Sequence, residues 1–508
     1  MHRLPILLAL TTLAGLPACG GNHYTPGLTN PGKPPATAAV SGAVTFKGAP
    51  LAGVTVTAWS TNTNSVVATA TTAADGSYTL HDIQAAANVP QVYQLWAIKT
   101  GYAFYPTVAS PGQVLRFDHT GQFQGNGVTD IAIYFTVIQF TAAEGVSLAN
   151  ANFTAYDGSS PLVALPRTGQ SVSYAEGDDA SLAQGAPWPA IRFRDNHDGT
   201  VTDALTGLVW LQDAGCLPPA LWAGSLGEAN QLATGQCGLS DNSKAGDWRL
   251  PNLAELESLI DASQANPALP AGHPFTSVSN AIYWTSTSYF GGQAGSPAAW
   301  AIRLGDGRYM NDAGINLKTV NTNFVWAVRG AGAGGALKLP ATGFYVPFSP
   351  GDDGTLQTGV PATWPRFVDN NNGTVTDTVT GLVWLKQANC LHDSWANAVA
   401  AVRALATGQC GLTDNSRPGA WRMPNRAEMQ SLQDRAENNL GAFFNQTYRN
   451  RDGGLFQPPI FADMVAYQFY WTSTTNAANP AEAWTVFSCD FGLYDIPKEN
   501  LGYTLAVR

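Results

Sequence analysis

The sequence predicts a multidomain fold class: an N-terminal all-β domain followed by two copies of one α+β domain. Three observations carry this. First, the block Trp188–Asp203 returns as Trp364–Asp377, and each copy runs on through Thr-Gly-Leu-Val-Trp-Leu to a cysteine, Cys216 or Cys390. The period is about 174 residues, the size of a domain, whereas solenoid repeats recur every ~20–50 residues. Second, residues 38–140 hold short alternating strands at the close spacing of a β-sandwich. Third, each copy mixes strand-like alternation with segments of helical periodicity. The chain has 508 residues, 45% hydrophobic and only 12% charged, with a net charge of −10. Such a composition supports real cores and excludes the basic footprint of a nucleic-acid partner.

Residues 1–18 read as a signal peptide, with Arg3 ahead of the apolar run Leu4–Leu16, which is too short to span a bilayer. The run ends Leu16-Pro17-Ala18-Cys19-Gly20, which resembles the lipobox of bacterial lipoproteins. The resemblance implies that Cys19 is acylated and that the membrane is reached through a lipid anchor. Gly20, rather than Asp, implies the outer membrane of a bacterial cell envelope. Residues 19–37, with Pro26, Pro31, Pro34 and Pro35, read as a flexible tether.

In 38–140 the expected strands are Val40–Phe46, Gly53–Trp59, Ser77–Leu80 after the turn Asp75-Gly76, Tyr93–Lys99 and Ile131–Val137. The string Gly48-Ala49-Pro50-Leu51-Ala52-Gly53-Val54-Thr55-Val56, with Lys99-Thr100-Gly101-Tyr102, resembles carboxypeptidase-regulatory-like and collagen-adhesin B-type domains. That resemblance implies a stalk. Residues 141–164 read as a polar connector, 165–330 as the first copy, 331–337 as a Gly/Ala linker and 338–508 as the second copy. Leu165–Gly169 and Leu339–Gly343 match a sortase pattern, but their recurrence at the domain period makes them structural strand entries.

In the first copy the Asp-Asn-His-Asp-Gly stretch 195–199 invites a calcium reading. However, the loop position that needs an acid holds Arg194 in one copy and Val368 in the other. A β-hairpin tip accounts for it better, with Asp203 and Asp377 making turn hydrogen bonds further on. No cofactor is expected: calcium remains possible without support from the loop spacing. Next comes a helix with Trp222, Leu226, Ala229 and Leu232 on one face, matched by Trp395, Val399, Val402 and Leu405 behind Asp393 or Ser394 as its cap. In an exported protein Cys216 pairs with Cys237 and Cys390 with Cys410, each closing a loop worth about 3 kcal/mol in the chain-entropy model. A zinc site is the alternative, at the wrong spacing. Cys489 is left over, as a buried free thiol or an intermolecular partner. Asn252 with Glu255, and Asn425 with Glu428, have capping-box spacing, and Arg249 and Arg422 read as loop anchors. Tryptophan-bearing strands close each copy and read as core.

Together the motifs Gly-Thr-Val-Thr-Asp-x-x-Thr-Gly-Leu-Val-Trp, Trp-Arg-Leu/Met-Pro-Asn-x-x-Glu, Tyr-Trp-Thr-Ser-Thr and Ala-Val-Arg resemble the Lcl C-terminal domain family. That family, long a domain of unknown function, is named for the end of bacterial collagen-like adhesins. Arg-Leu-Pro-x-x-x-Glu is also similar to the C-type-lectin-like and formylglycine-generating-enzyme superfolds, an analogy of fold only. The resemblance implies two lectin-like heads that bind an extracellular or envelope glycan or a protein, in an adhesin. The chain lacks collagen repeats and clustered basic residues, so neutral glycans or proteins fit better than heparin. A structural envelope protein is the alternative; an enzyme is less favoured, because no catalytic constellation is duplicated and no catalytic residue is assigned. Differences between the copies then point to a site. The second copy has about 14 extra residues before Tyr470, and there Phe443, Phe444, Tyr448, Arg449, Arg451 and Phe456 form the candidate ligand-binding set.

Overall fold

The computed structural model describes residues 37–46, 48–60, 65–84, 91–99, 103–106, 113–118, 135–142, 152–156, 163–289, 298–310, 316–330, 335–344, 347–360, 366–433, 435, 461–490 and 492–508. Cys19 and the candidate set 443–456 lie outside the described residues.

The N-terminal unit consists of two five-stranded sheets. One holds Thr37–Phe46, paired antiparallel with Ser77–Gln84; the other is ordered Ser65–Thr71, Thr55–Ser60, Gln91–Ile98, Phe135–Ala142, Gln113–Asp118. Alternation explains the burial: Val40, Val44, Val56, Leu80, Tyr93 and Leu95 from both sheets meet in a single apolar cluster. Ser65–Thr71 and Gln113–Asp118 add to the expected strands. Phe153–Tyr156, inside the expected connector, is also a strand, pairing in parallel with Thr37–Phe46 through Val44 and Phe153. Phe153 is buried, and this burial outweighs the polar composition around it.

Both copies repeat one topology, mostly of strands. The central sheet of the first is ordered Leu217–Ala220, Asn323–Val325, Ile282–Tyr289, Ala298–Arg303, Arg308–Met310. The second is ordered Leu391–Asp393, Gly502–Thr504, Phe469–Thr475, Glu482–Phe487, Leu493–Pro497. Helices Trp222–Gln231 and Trp395–Ala404 bury the expected faces. Their caps differ from expectation: Ser394 sits at the N-cap without a side-chain bond, and Asp393 instead accepts from the Ser394 N–H and from Asn397. The disulfides Cys216–Cys237 and Cys390–Cys410 are formed, and Cys489 is a half-buried free thiol. Among the described residues eleven tryptophans are almost wholly buried. Among them Trp326 meets Trp210 at 5.4 Å and Phe275 at 4.9 Å edge-on, the geometry that aromatic quadrupoles favour.

The opening segments of the copies are exchanged. The Val163 N–H donates to Val379 O in the second copy, while Leu337 N–H donates to Leu205 O in the first. Gln170 pairs with both backbone groups of Thr475, at 2.8 and 3.0 Å. Asn425 reaches Gln184 O just as Asn252 reaches Thr358 O. Each copy is thus completed by the segment that precedes the other, and one apolar cluster runs from Trp210 and Trp326 to Phe367, Trp384 and Tyr470. Part of the expected linker is pinned as well. Ala336 and Leu337 donate to Ala204 and Leu205, and a Cβ on Gly335 would lie 2.2 Å from the Thr206 carbonyl carbon.

Candidate functional site

The polar residues shared by both copies are engaged in structure. In the hairpin tip Asp195 accepts the His197 N–H at 2.8 Å, Asp198 takes the Thr200 N–H and hydroxyl, and Asn196 bridges Thr200 and Thr202. These are Asx-turn bonds, which is the chemistry a turn needs, and Asn370–Thr376 repeat them. Asp203 accepts from Leu205 N–H and the Thr206 hydroxyl, as expected. It also accepts from Arg192 Nε and Nη2, which the sequence did not signal because Arg192 lies across the hairpin. Arg366 holds Asp377 in the same way. Both capping boxes form, and Arg249 and Arg422 clamp Glu255 and Glu428 through two 2.6 Å bonds each.

The exchanged segments are locked by two buried aspartates. Asp179 Oδ2 accepts hydroxyls from Thr168, in its own segment, and Thr474, in the second copy, at 2.7 and 2.5 Å. Asp353 Oδ2 accepts from Thr342 and from Thr287 of the first copy at 2.6 and 2.7 Å. Burial pushes the carboxyls up, to about 6 for Asp179 and about 7 for Asp353, against the threonine hydrogen bonds. Lys318 sits 4.1 Å over Trp222 and 4.3 Å over Phe348 of the docked segment; Lys498 repeats this with Trp395 and Tyr174. Burial lowers both ammonium groups to about 8.

A pH dependence follows. Between an unfolded value near 3.8 and a folded value near 7, folded Asp353 holds a proton that the unfolded chain has released, so this group's contribution to stability falls as pH rises from the unfolded to the folded value and stays lost above about 7. Asp353→Asn keeps an oxygen for both threonines and never ionises. By calorimetry the variant is expected to match the parent near about pH 3.5, below the unfolded value, and to melt a few degrees higher at pH 8, a shift of the size that ~1 kcal/mol gives. A variant less stable than the parent at pH 8 contradicts this reading.

The two copies also differ where they meet. Aligning Asn252 with Asn425 sets Leu253 against Arg426, Glu257 against Gln430, Ile260 against Gln433 and Ala262 against Arg435. All eight lie at or near the crossing of the exchanged segments, where a cavity of about 100 Å³ opens. Arg426 is 3% exposed, donates to Gly307 O at 2.6 Å and stacks over Trp484. Arg435 lies over Trp300 and donates to Gln430 Oε1 at 2.8 Å. Glu257 faces both guanidinium groups, and burial raises its carboxyl to about 7. The sequence carried a signal here: polar replacements inside a helix whose capping box and apolar neighbours stay fixed.

Of the extra loop in the second copy, the described part begins at Phe461. Its return matches the first copy: Ala462 exchanges backbone bonds with Lys386 and Ala388, as Thr276 does with Gln212 and Ala214. Phe461 is buried and Tyr467 is 71% exposed.

No curated protein matches the chain. The description Lcl C-terminal domain matches residues 199–329 and 373–508, together more than half of the sequence. Both matches begin after the exchanged segments, at the hairpin glycines Gly199 and Gly373. The chain belongs to the Lcl C-terminal domain family, which it carries as a tandem repeat.

Proposed function

We propose that the chain is a bacterial cell-envelope lipoprotein, anchored at the outer membrane through Cys19, that binds a glycan or protein ligand through its tandem unit. In this reading residues 38–140 are a carboxypeptidase-regulatory-like β-sandwich stalk, and 165–330 and 338–508 are two lectin-like domains. The supporting observation is the fate of the duplicated polar residues. Arg192, Asp203, Arg249 and Glu255, like their counterparts, are engaged in holding the scaffold, so recognition is left to what the copies do not share. The largest such difference in length precedes Phe461, and Arg449 and Arg451 with the neighbouring aromatics are its candidate contacts. The test uses the full chain on glycan and protein arrays. Specific binding is expected, and Arg449→Ala combined with Arg451→Ala should weaken it roughly tenfold or more, as loss of a central arginine contact does. The melting temperature should stay unchanged. Equal affinity in the double variant retires this site, and absence of any ligand across the arrays retires the binding reading.

A further inference from the structure

The junction cavity holds two buried donors that lack an acceptor. Arg426 Nη1 and Gln430 Nε2 are buried and have no hydrogen-bond partner, although both residues are more than nine-tenths buried. Such orphaned groups are costly, about 1–3 kcal/mol each and more for a charge, and a native protein seldom keeps them without a partner to receive. The two residues stand four apart in the helix Arg426–Ser431, so they share a face. Ile260, Leu339 and Val360 supply an apolar wall to the same cavity. The first copy places Leu253 and Glu257 at the equivalent positions, so the donor pair is a property of the second copy alone.

We propose that this cavity binds a short monocarboxylate, its oxygens taken by Arg426 and Gln430 and its alkyl end set against Ile260, Leu339 and Val360. A planar carboxylate matches a guanidinium edge and an amide donor. The charge balance favours a single negative charge, since the Glu257 carboxyl lines the same cavity and a dianion would meet it. The volume, about 100 Å³ against the ~150 Å³ that accepts benzene, favours a small ligand. This junction site is independent of the ligand site proposed above, and either can fail without the other.

The test is calorimetric titration of the full chain with sodium propionate, and in parallel with inorganic phosphate. Saturable binding of propionate is expected. Replacing Arg426 with the first copy's residue, Arg426→Leu, should weaken it by roughly tenfold or more, the effect of a charged hydrogen bond. Glu257→Gln removes a competing carboxylate and is expected to tighten propionate binding several-fold, which keeps the proposal testable should Arg426→Leu fail to fold. Phosphate binding without propionate binding, no saturation with propionate, or equal affinity in Glu257→Gln overturns the proposal.

Discussion

Residues 338–508 expressed alone are expected to lose the cooperative stability they have in the whole chain, although their sequence contains an entire copy. In the intact protein this copy is finished by the segment that precedes the other one. Without it, the Thr475 N–H and carbonyl, the Thr474 hydroxyl and the Asn425 amide lose partners at Gln170, Asp179 and Gln184. Meanwhile Asp353, carried on the fragment's own opening segment, has lost Thr287 and the sheet against which it was buried. Each buried polar group left unpaired costs about 1–3 kcal/mol. Several of them reach the order of the whole stability of a domain, about 5–15 kcal/mol. Circular dichroism against temperature should show a broad or much lowered transition, and adding a peptide of residues 163–188 should sharpen and raise it. A fragment that melts cooperatively within about 5 °C of the full chain, a difference worth ~1–2 kcal/mol, would falsify the exchange.

Glu255→Ala is expected to be the most damaging point change in the first copy. Its carboxylate closes the capping box at the Asn252 N–H, takes two 2.6 Å bonds from Arg249 and accepts the Thr358 hydroxyl of the docked segment. Arg249 and Glu255 side chains are 14% and 6% exposed, so truncation leaves a guanidinium largely out of water with its counter-charge gone. Breaking a buried pair from one side costs about 3–5 kcal/mol. Chemical denaturation should show that loss as an earlier midpoint with an unchanged slope. Glu255→Gln keeps the shape and one acceptor and should fall between the two. A loss under about 1 kcal/mol for Glu255→Ala places the pair among exposed, weak ion pairs, against its burial.

What was legible in the sequence is what forms from near neighbours. Asn252 and Glu255 are three residues apart and cap their helix wherever that helix docks. The hairpin at Asn196–Gly199 closes on its own turn bonds, and the faces headed by Trp222 and Trp395 follow from a period of 3.6. The duplication itself placed the disulfides. Arg192 and its partner Asp203 were missed because their meeting depends on strand pairing rather than spacing.

The exchange had no such signature. Thr168 and Thr342 stood within a short repeated motif, and Asp179 and Asp353 within polar stretches that gave no sign of burial. Nothing local states which copy such a segment docks against, because both copies offer the same threonine-lined strand. Connectivity and the shared core decide between two nearly equivalent surfaces. The same holds for the cavity: the replacements from Leu253 to Arg426 and from Glu257 to Gln430 were visible as differences, but only the crossing of the two segments brings them together. By itself the sequence determined the family, the repeated elements and their caps, since these rest on interactions within a few residues. The tertiary structure decided that the two copies form one body with a buried polar junction, since that rests on contacts between residues more than a hundred positions apart.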